Sequence, residues 1–319
     1  DLVRRNALAG KDVVEIGCGD GRFLELLVAQ GARSGIGYDP GARPAERPAS
    51  VEVHARAYTA GADVRGDLVA SRHVLEHMAE PGTFVDLLVA ACRGHDSVVF
   101  VEVPNGAATL AGAMIWDLIY EHCSYFSPRS LSRLLAARGF AQVCVRPVYD
   151  GQFLAIEGRQ GAGTGVLDEG DAATVDEVAQ ARAFAEQFWA AVAGWRAAIR
   201  ELADAGQRLF VWGAGSKGVT FANLVDPAGR GIAAFVDVNP LKSGRFVAGT
   251  GHAVVAPDAL PDAKPDVVVL MNGIYNEEVA HQLSGLGIAP ALVCVDEGPL
   301  PSAQPTSAVE RSSGVSNSG

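Results

Sequence analysis

The 319-residue sequence has no run approaching the ~18 apolar residues that cross a bilayer, so no membrane span is expected. No secretory leader is expected either. The opening DLVRRNALAGKDVVE sets charges where a leader would have its apolar core. Basic runs are also missing, and the net charge is −11. That balance excludes nucleic acid and anionic membrane as main partners. It leaves a phosphorylated small molecule open, because one local Lys or Arg can serve such a ligand. There is no CxxC pair. The five cysteines, Cys18, Cys92, Cys123, Cys144 and Cys294, are widely spaced among apolar neighbours. They read as reduced, mostly buried thiols of a cytoplasmic protein, with no zinc site expected.

What is present is a soluble-type composition, 49% hydrophobic and 20% charged, on a chain long enough for two domains. Residues 11–19 (KDVVEIGCG) read as a buried strand entering a glycine turn, and 21–30 places Phe23, Leu24, Leu27 and Val28 on one helical face. Further strands are expected at 34–40, 67–74 and 96–105. PGTFVDLLVAACRG forms a helix between the last two. Ser127 and Pro128 then open another helix, followed by two closing strands, AQVCVRPVY and GQFLAIEG. Strands alternating with helices predict a doubly wound α/β sheet over residues 1–158. A Gly/Asp/Thr-rich linker is expected at 159–173. A long helix then leads into a second, smaller Rossmann-like domain at 174–299, and a disordered tail occupies 300–319.

The segment VVEIGCGDG at 13–21 carries chemistry. Its glycines let the backbone turn sharply and approach a ligand, and the next helix aims its amino terminus at the same spot. Asp39 ends the second strand, eighteen residues after Gly21, where its carboxylate can accept from ribose hydroxyls. The order resembles the class I S-adenosylmethionine-dependent methyltransferases, and SRHVLEHM at 71–78 also looks like that family, following its fourth strand. The resemblance implies S-adenosylmethionine as cofactor. Glu15 would help hold its methionine end, and Gly17, Cys18, Gly19, Asp39, Tyr58, Ser71 and Arg72 would border it. His73, Glu76 and His77 could form a metal face at i, i+3, i+4. The resemblance favours a cofactor border without metal.

WGAGSKG at 212–218 is a second glycine turn, a true GxGxxG, and Asp237 ends the following strand. By spacing alone it is a dinucleotide fingerprint. Residues ~174–297 also resemble the C-terminal domain of the sugar C-methyltransferase family, in GAGSKG, DVNP at 237–240 and LKSGRFVAGTG. That resemblance implies no nicotinamide. Lys217 then either helps hold a substrate diphosphate or is simply solvated. YEHCSYFS at 120–127 resembles the same family's Glu-His-x-Ser-Tyr-Phe/Tyr-Ser segment. Two departures are visible: the cysteine-rich zinc module that the family carries ahead of this domain is not in the sequence, and MNGIY at 271–275 stands where many sugar enzymes have Trp-Asn.

In open α/β sheets ligands bind beyond the carboxyl ends of the strands, which is where YEHCSYFS follows Pro104 and Asn105. The expected function is C-methylation of a nucleotide-linked keto-deoxysugar. His122 would be the base that makes an enolate, Glu121 would orient it, Tyr120 would hydrogen-bond the enolate oxygen, and Tyr125, Asn105 and Lys217 would meet the substrate. The bland reading keeps the two tyrosines as core-edge rings and His122 as a local hydrogen bonder. Other readings are an O- or N-methyltransferase on the same scaffold, a bifunctional protein with nicotinamide redox at 209–297, and a binding module without catalysis.

Overall fold

The computed structural model describes all residues except 44–45, 63, 93–95, 162–170 and 300–319, and only the backbone of 171–175. The expected tail and most of the expected linker therefore lie outside the described residues. The chain divides into two compact units, Asp1–Gln187 and Phe188–Gly319. The division falls inside a long helix. No helix among the described residues is long and apolar enough to cross a membrane.

The first unit runs α1 (Leu2–Arg5), β1 (Asp12–Ile16), α2 (Arg22–Ala29), β2 (Ser34–Tyr38), β3 (Val51–His54), β4 (Leu68–Arg72), α3 (Pro81–Cys92), β5 (Val98–Pro104), α4 (Gly106–Ala111), α5 (Pro128–Ala136), β6 (Phe140–Val148) and β7 (Phe153–Gln160). Its seven strands order as β3-β2-β1-β4-β5-β7-β6. Only β7 runs against its neighbours, pairing antiparallel with both β5 and β6. The hairpin joining β6 to β7 turns through Tyr149, Asp150 and Gly151, all at positive φ. The central strands are apolar throughout because helices cover both sheet faces. Alternate residues serve opposite faces. Val69, Val99 and Val101 enter one core with Leu88 and Leu135, while Leu68, Ala70 and Phe100 enter the other with Leu24 and Leu27.

The local signals explain the ends. Ser127 caps α5 by accepting from Ser130 N at 3.1 Å, with Pro128 in the first helical turn. α6 (Asp171–Asp204) carries the division into the second unit. There follow β8 (Leu209–Trp212), α7 (Ser216–Val225), β9 (Ile232–Val236), β10 (Val254–Val255), α8 (Leu260–Ala263), β11 (Val267–Leu270), α9 (Asn276–Gly285) and β12 (Ala291–Cys294). The second sheet orders as β10-β9-β8-β11-β12 and is wholly parallel. One of its faces packs Phe210, Trp212, Val268 and Leu270 against Val279 and Leu283. Trp195 sets its edge on Phe221 at 5.2 Å. The sequence did not predict β3 and β10, because four and two residues at sheet edges carry too little periodicity to register.

Candidate active site

Strands β1 and β4 are neighbours, yet the chain leaves β1 toward β2 and returns to β4 from the other end of the half-sheet. This switch opens a crevice beyond their carboxyl ends, the usual ligand position in such sheets. The glycine turn borders it. Gly17, Gly19 and Gly21 all have positive φ (79°, 53° and 85°), and a Cβ on Gly17 would overlap the Val74 side chain. Side chains are thus excluded twice at Gly17, by backbone conformation and by space. Asp39 is pre-oriented: Oδ2 accepts from Gly19 N at 2.9 Å and Oδ1 from Gly41 N at 2.7 Å.

Buried polar atoms without partners gather around this edge. They include Glu15 Oε2 on β1, Ser71 Oγ on β4, Glu76 Oε2 in the 3-10 turn Leu75–His77, and His122 Nδ1. Such atoms are rare in folded proteins, and each calls for a partner that ligand binding can supply. Glu15 is 2% exposed. Burial pushes its carboxyl up to about 8, against a smaller opposing pull from Arg72. Arg72 itself is held by other partners. Its Nε and Nη2 lie 3.1 and 2.9 Å from Glu102 Oε1, and its guanidinium lies over the Phe23 ring at 4.5 Å.

A line of alternating charge leads on from there. His73, at φ 53°, sets Nε2 3.2 Å from Glu102 Oε1 and Nδ1 3.5 Å from Glu76 Oε1. Burial alone would lower its pKa, but the two carboxylates outweigh it and hold the imidazole up at about 9. Glu102 is correspondingly lowered: burial opposes this, and His73 and Arg72 prevail.

The YEHCSYFS segment is irregular and is clamped onto the 3-10 turn. Cys123 N and Ser124 N donate to Glu76 O at 2.7 and 3.1 Å, and His77 Nδ1 meets Glu121 O at 3.1 Å. Because a carbonyl only accepts, that last bond places the proton of His77 on Nδ1. The ring of His122 stands 4.8 Å from that of His77, edge to face, and 6.0 Å from Tyr125. Burial lowers the pKa of His122, partly countered by Glu76. Glu76, His77 and His122 each bring a ligand-type atom to within 4.8 Å of the others. Two ligands of one zinc ion stand at most about 4.3 Å apart, so that envelope is wide for a bound metal.

A family model described as a methyltransferase domain matches residues 1–145, and one described as the C-methyltransferase C-terminal domain matches 160–289. The chain thus matches the S-adenosylmethionine-dependent methyltransferases and resembles the C-methyltransferases among them. Within the methyltransferases it is 27% identical over 298 residues to the C-methyltransferase NovU of Streptomyces niveus, covering 87% of this chain and 70% of that protein. It is also similar to a solved methyltransferase structure from Archaeoglobus fulgidus, at 19% identity and TM-score 0.39, over 50% of this chain and 91% of that one. Another, from Mesorhizobium loti, is 15% identical with TM-score 0.39, over 48% and 92%.

This methyltransferase brings together some of the expected residues and not others. Gly17, Gly19, Asp39, Glu15 and Ser71 converge on the crevice. Cys18 points into the core against Leu24, its thiol raised to about 12 by burial, so only its backbone faces the turn. Tyr58 lies in the opposite core, edge-on to Tyr38 at 5.2 Å. Tyr120 is 86% exposed and its hydroxyl partners the exposed Glu121, so both side chains lie at the surface, and Glu121 acts on His122 only as a nearby charge. Glu121 contributes its carbonyl, to His77. Asn105 caps α4, accepting from Ala108 N and donating to Gly151 O at 2.9 Å. Tyr125 lines an apolar cavity of about 360 Å³ with Leu110, Leu118 and Phe184, and its hydroxyl donates to Ile119 O. Lys217 sits in the first turn of α7 in the other unit.

The second glycine turn differs from the first. Asp237 accepts from Ala214 N and Asn239 N, and Oδ2 also binds Lys242 Nζ at 2.8 Å. A Cβ on Gly218 would overlap the Gly213 carbonyl, so this glycine serves helix packing. Sequence reasoning missed Glu76, Glu102 and His73 as one network with His122. The signal available was two carboxylates with no apolar excuse for burial, one in HVLEH and one in the strongest strand.

Proposed function

We propose that this methyltransferase methylates carbon, on a nucleotide-linked keto-deoxysugar, with His122 as the base. The observation that carries the reading is the buried His122 Nδ1 without a partner, facing a crevice edge where Glu15, Ser71 and Glu76 also keep unpartnered atoms. A base must be neutral to accept a proton, and burial holds His122 toward that form. The C-methyltransferase C-terminal domain and the relative NovU support carbon as the methyl acceptor. The sugar nucleotide rests on the resemblance of YEHCSYFS and GAGSKG to the sugar enzymes. Lys217 is a candidate for its diphosphate.

S-adenosylmethionine, when bound, supplies an electrophilic methyl group on a sulfonium. Gly17 and Gly19 would give it backbone contact, Asp39 its ribose partner, and Glu15 a carboxylate for its methionine end. The chain's own chemistry is proton transfer. The C–H bond beside the substrate ketone breaks, its proton goes to the His122 imidazole, and the electron pair delocalises onto the ketone oxygen as an enolate. The cation so formed on His122 lies near the buried Glu76 carboxylate. The protein works in the cytoplasm, with 1–158 as the methyl-transfer domain and 174–299 as the second domain. A panel of nucleotide sugars incubated with methyl-labelled donor tests the reading. Label on carbon, placed by NMR next to the former ketone, is expected. Label on oxygen or nitrogen would reject it.

A further inference from the structure

We propose that Glu76, not Glu121, is the positioning carboxylate of the base: it fixes the loop that carries His122 and holds the imidazolium formed when His122 takes its proton. The inference rests on the reading of His122 as base and names the group through which that base works.

Three observations converge on Glu76. First, it is 1% exposed and keeps Oε2 without a partner, while Oε1 faces His73 Nδ1 at 3.5 Å. A carboxylate is seldom buried this deeply without a task or a counter-ion. His73 answers for one oxygen and leaves the other aimed elsewhere. Second, a carboxylate oxygen of Glu76 and a ring nitrogen of His122 lie within 4.8 Å. Glu76 Oε2 and His122 Nδ1 both lack a hydrogen-bond partner, so no direct bond joins those two atoms. A separation up to that limit can be bridged by one oxygen atom bonded to both, since two contacts of ~2.8 Å at a tetrahedral angle span about 4.6 Å. A substrate ketone or hydroxyl is the right size for that place. Third, the backbone of Glu76 holds the same loop, because its carbonyl accepts from both Cys123 N and Ser124 N, the two residues after His122. Position and charge thus come from a single residue.

The competing carboxylate, Glu121, is exposed, and its hydroxyl partner is Tyr120. Solvent screens a charge placed there. The groups facing His122 are Glu76 and His77 from the 3-10 turn, Glu121 and Asp117 from its own segment, and the Tyr125 ring. Of the three carboxylates, Glu76 acts most strongly on it and raises its pKa against the lowering by burial. Behind Glu76, His73 and Arg72 flank Glu102, so the network alternates sign and ends at the base. The arrangement is that of a buried acid behind a catalytic imidazole, where the acid keeps its charge and the imidazolium is stabilised.

The test uses the full chain labelled in its histidines, with the His122 signal assigned by its loss in His122→Asn. Its titration is followed by NMR, with no acceptor present. Glu76→Gln is expected to move the His122 midpoint down by roughly one pH unit or more, and Glu121→Gln by clearly less. An unmoved midpoint in Glu76→Gln, or an equal or larger shift in Glu121→Gln, would overturn the proposal. If circular dichroism shows Glu76→Gln unfolded, Glu76→Asp replaces it. Its carboxylate is drawn back by one methylene and should shift the midpoint the same way by a smaller amount, so no shift again overturns. With an acceptor in hand, Glu76→Gln should lower kcat and leave the KM of S-adenosylmethionine unchanged. A shifted midpoint with an unaltered kcat would also overturn it. Because the titration needs no turnover, it can succeed or fail independently of whether His122 is the base.

Discussion

Replacing Glu15 by Gln should make the protein more stable while weakening its hold on S-adenosylmethionine. Glu15 is buried on β1, and burial lifts its carboxyl from 4.5 to about 8. Between those two values the unfolded chain is ionised and the folded one is not, so stability falls as pH rises from 4.5 toward 8. At pH 7 the accumulated cost is about 3 kcal/mol. Glu15→Gln removes it, so urea denaturation should show the variant more stable than wild type at pH 7 and equal to it near pH 4. The same shift predicts proton release. At pH 7 a group titrating near 8 is roughly nine-tenths protonated, and the arriving ammonium of the methionine end favours its ionised form. Calorimetric titration in two buffers of different ionisation enthalpy counts the protons. Wild type should release close to one more proton per bound S-adenosylmethionine than Glu15→Gln does. Equal proton counts in the two proteins, or equal affinities, would refute the assignment of Glu15 to the methionine end.

Asp39→Ala removes the carboxylate that holds Gly19 N and is assigned to the ribose, and it should cost about 1.5–3 kcal/mol of S-adenosylmethionine affinity by calorimetry. His73, raised to about 9, stabilises the fold fully below its ordinary 6.5, and the contribution is lost as pH rises through 9. Its side chain is 37% exposed, so the solvent-screened loss should be about 1–2 kcal/mol in wild type and absent in His73→Gln, read from urea melts at pH 6 and 10. The second glycine turn should bind no nicotinamide, because Lys242 already occupies the acid that would take a ribose. Tryptophan-fluorescence titration checks this, and micromolar binding abolished by Gly215→Arg would contradict it.

Apart from the short edge strand β3, the sheet of the first unit was legible because its longer elements announce themselves. The glycines of EIGCGDG, the acid at the end of β2 and the capping Ser127–Pro128 pair are local signals, and the structure uses them locally. The exchange of charge between Arg72, Glu102, His73 and Glu76 was not legible. It joins β4, β5 and a 3-10 turn across about thirty residues, and periodicity is blind to pairs so separated in sequence. YEHCSYFS could be singled out by composition, but composition does not say which way side chains point. Tyr120 and Glu121 face outward because the loop is tied down through the Glu121 carbonyl and the amides of Cys123 and Ser124. Cys18 was misleading for a similar reason, since a residue flanked by turn glycines lends its backbone to the crevice and its side chain to the core.

The central claim, that His122 removes a proton from carbon, is tested most directly by hydrogen exchange. A nucleotide-linked keto-deoxysugar that accepts the methyl group is placed in heavy water with the enzyme and S-adenosylhomocysteine, so that no methyl can move. The account predicts that wild type exchanges the hydrogen beside the ketone and that His122→Asn exchanges it about 10²–10⁴-fold more slowly, with cofactor affinity retained. Exchange at the wild-type rate in His122→Asn would contradict it and assign the base to another group.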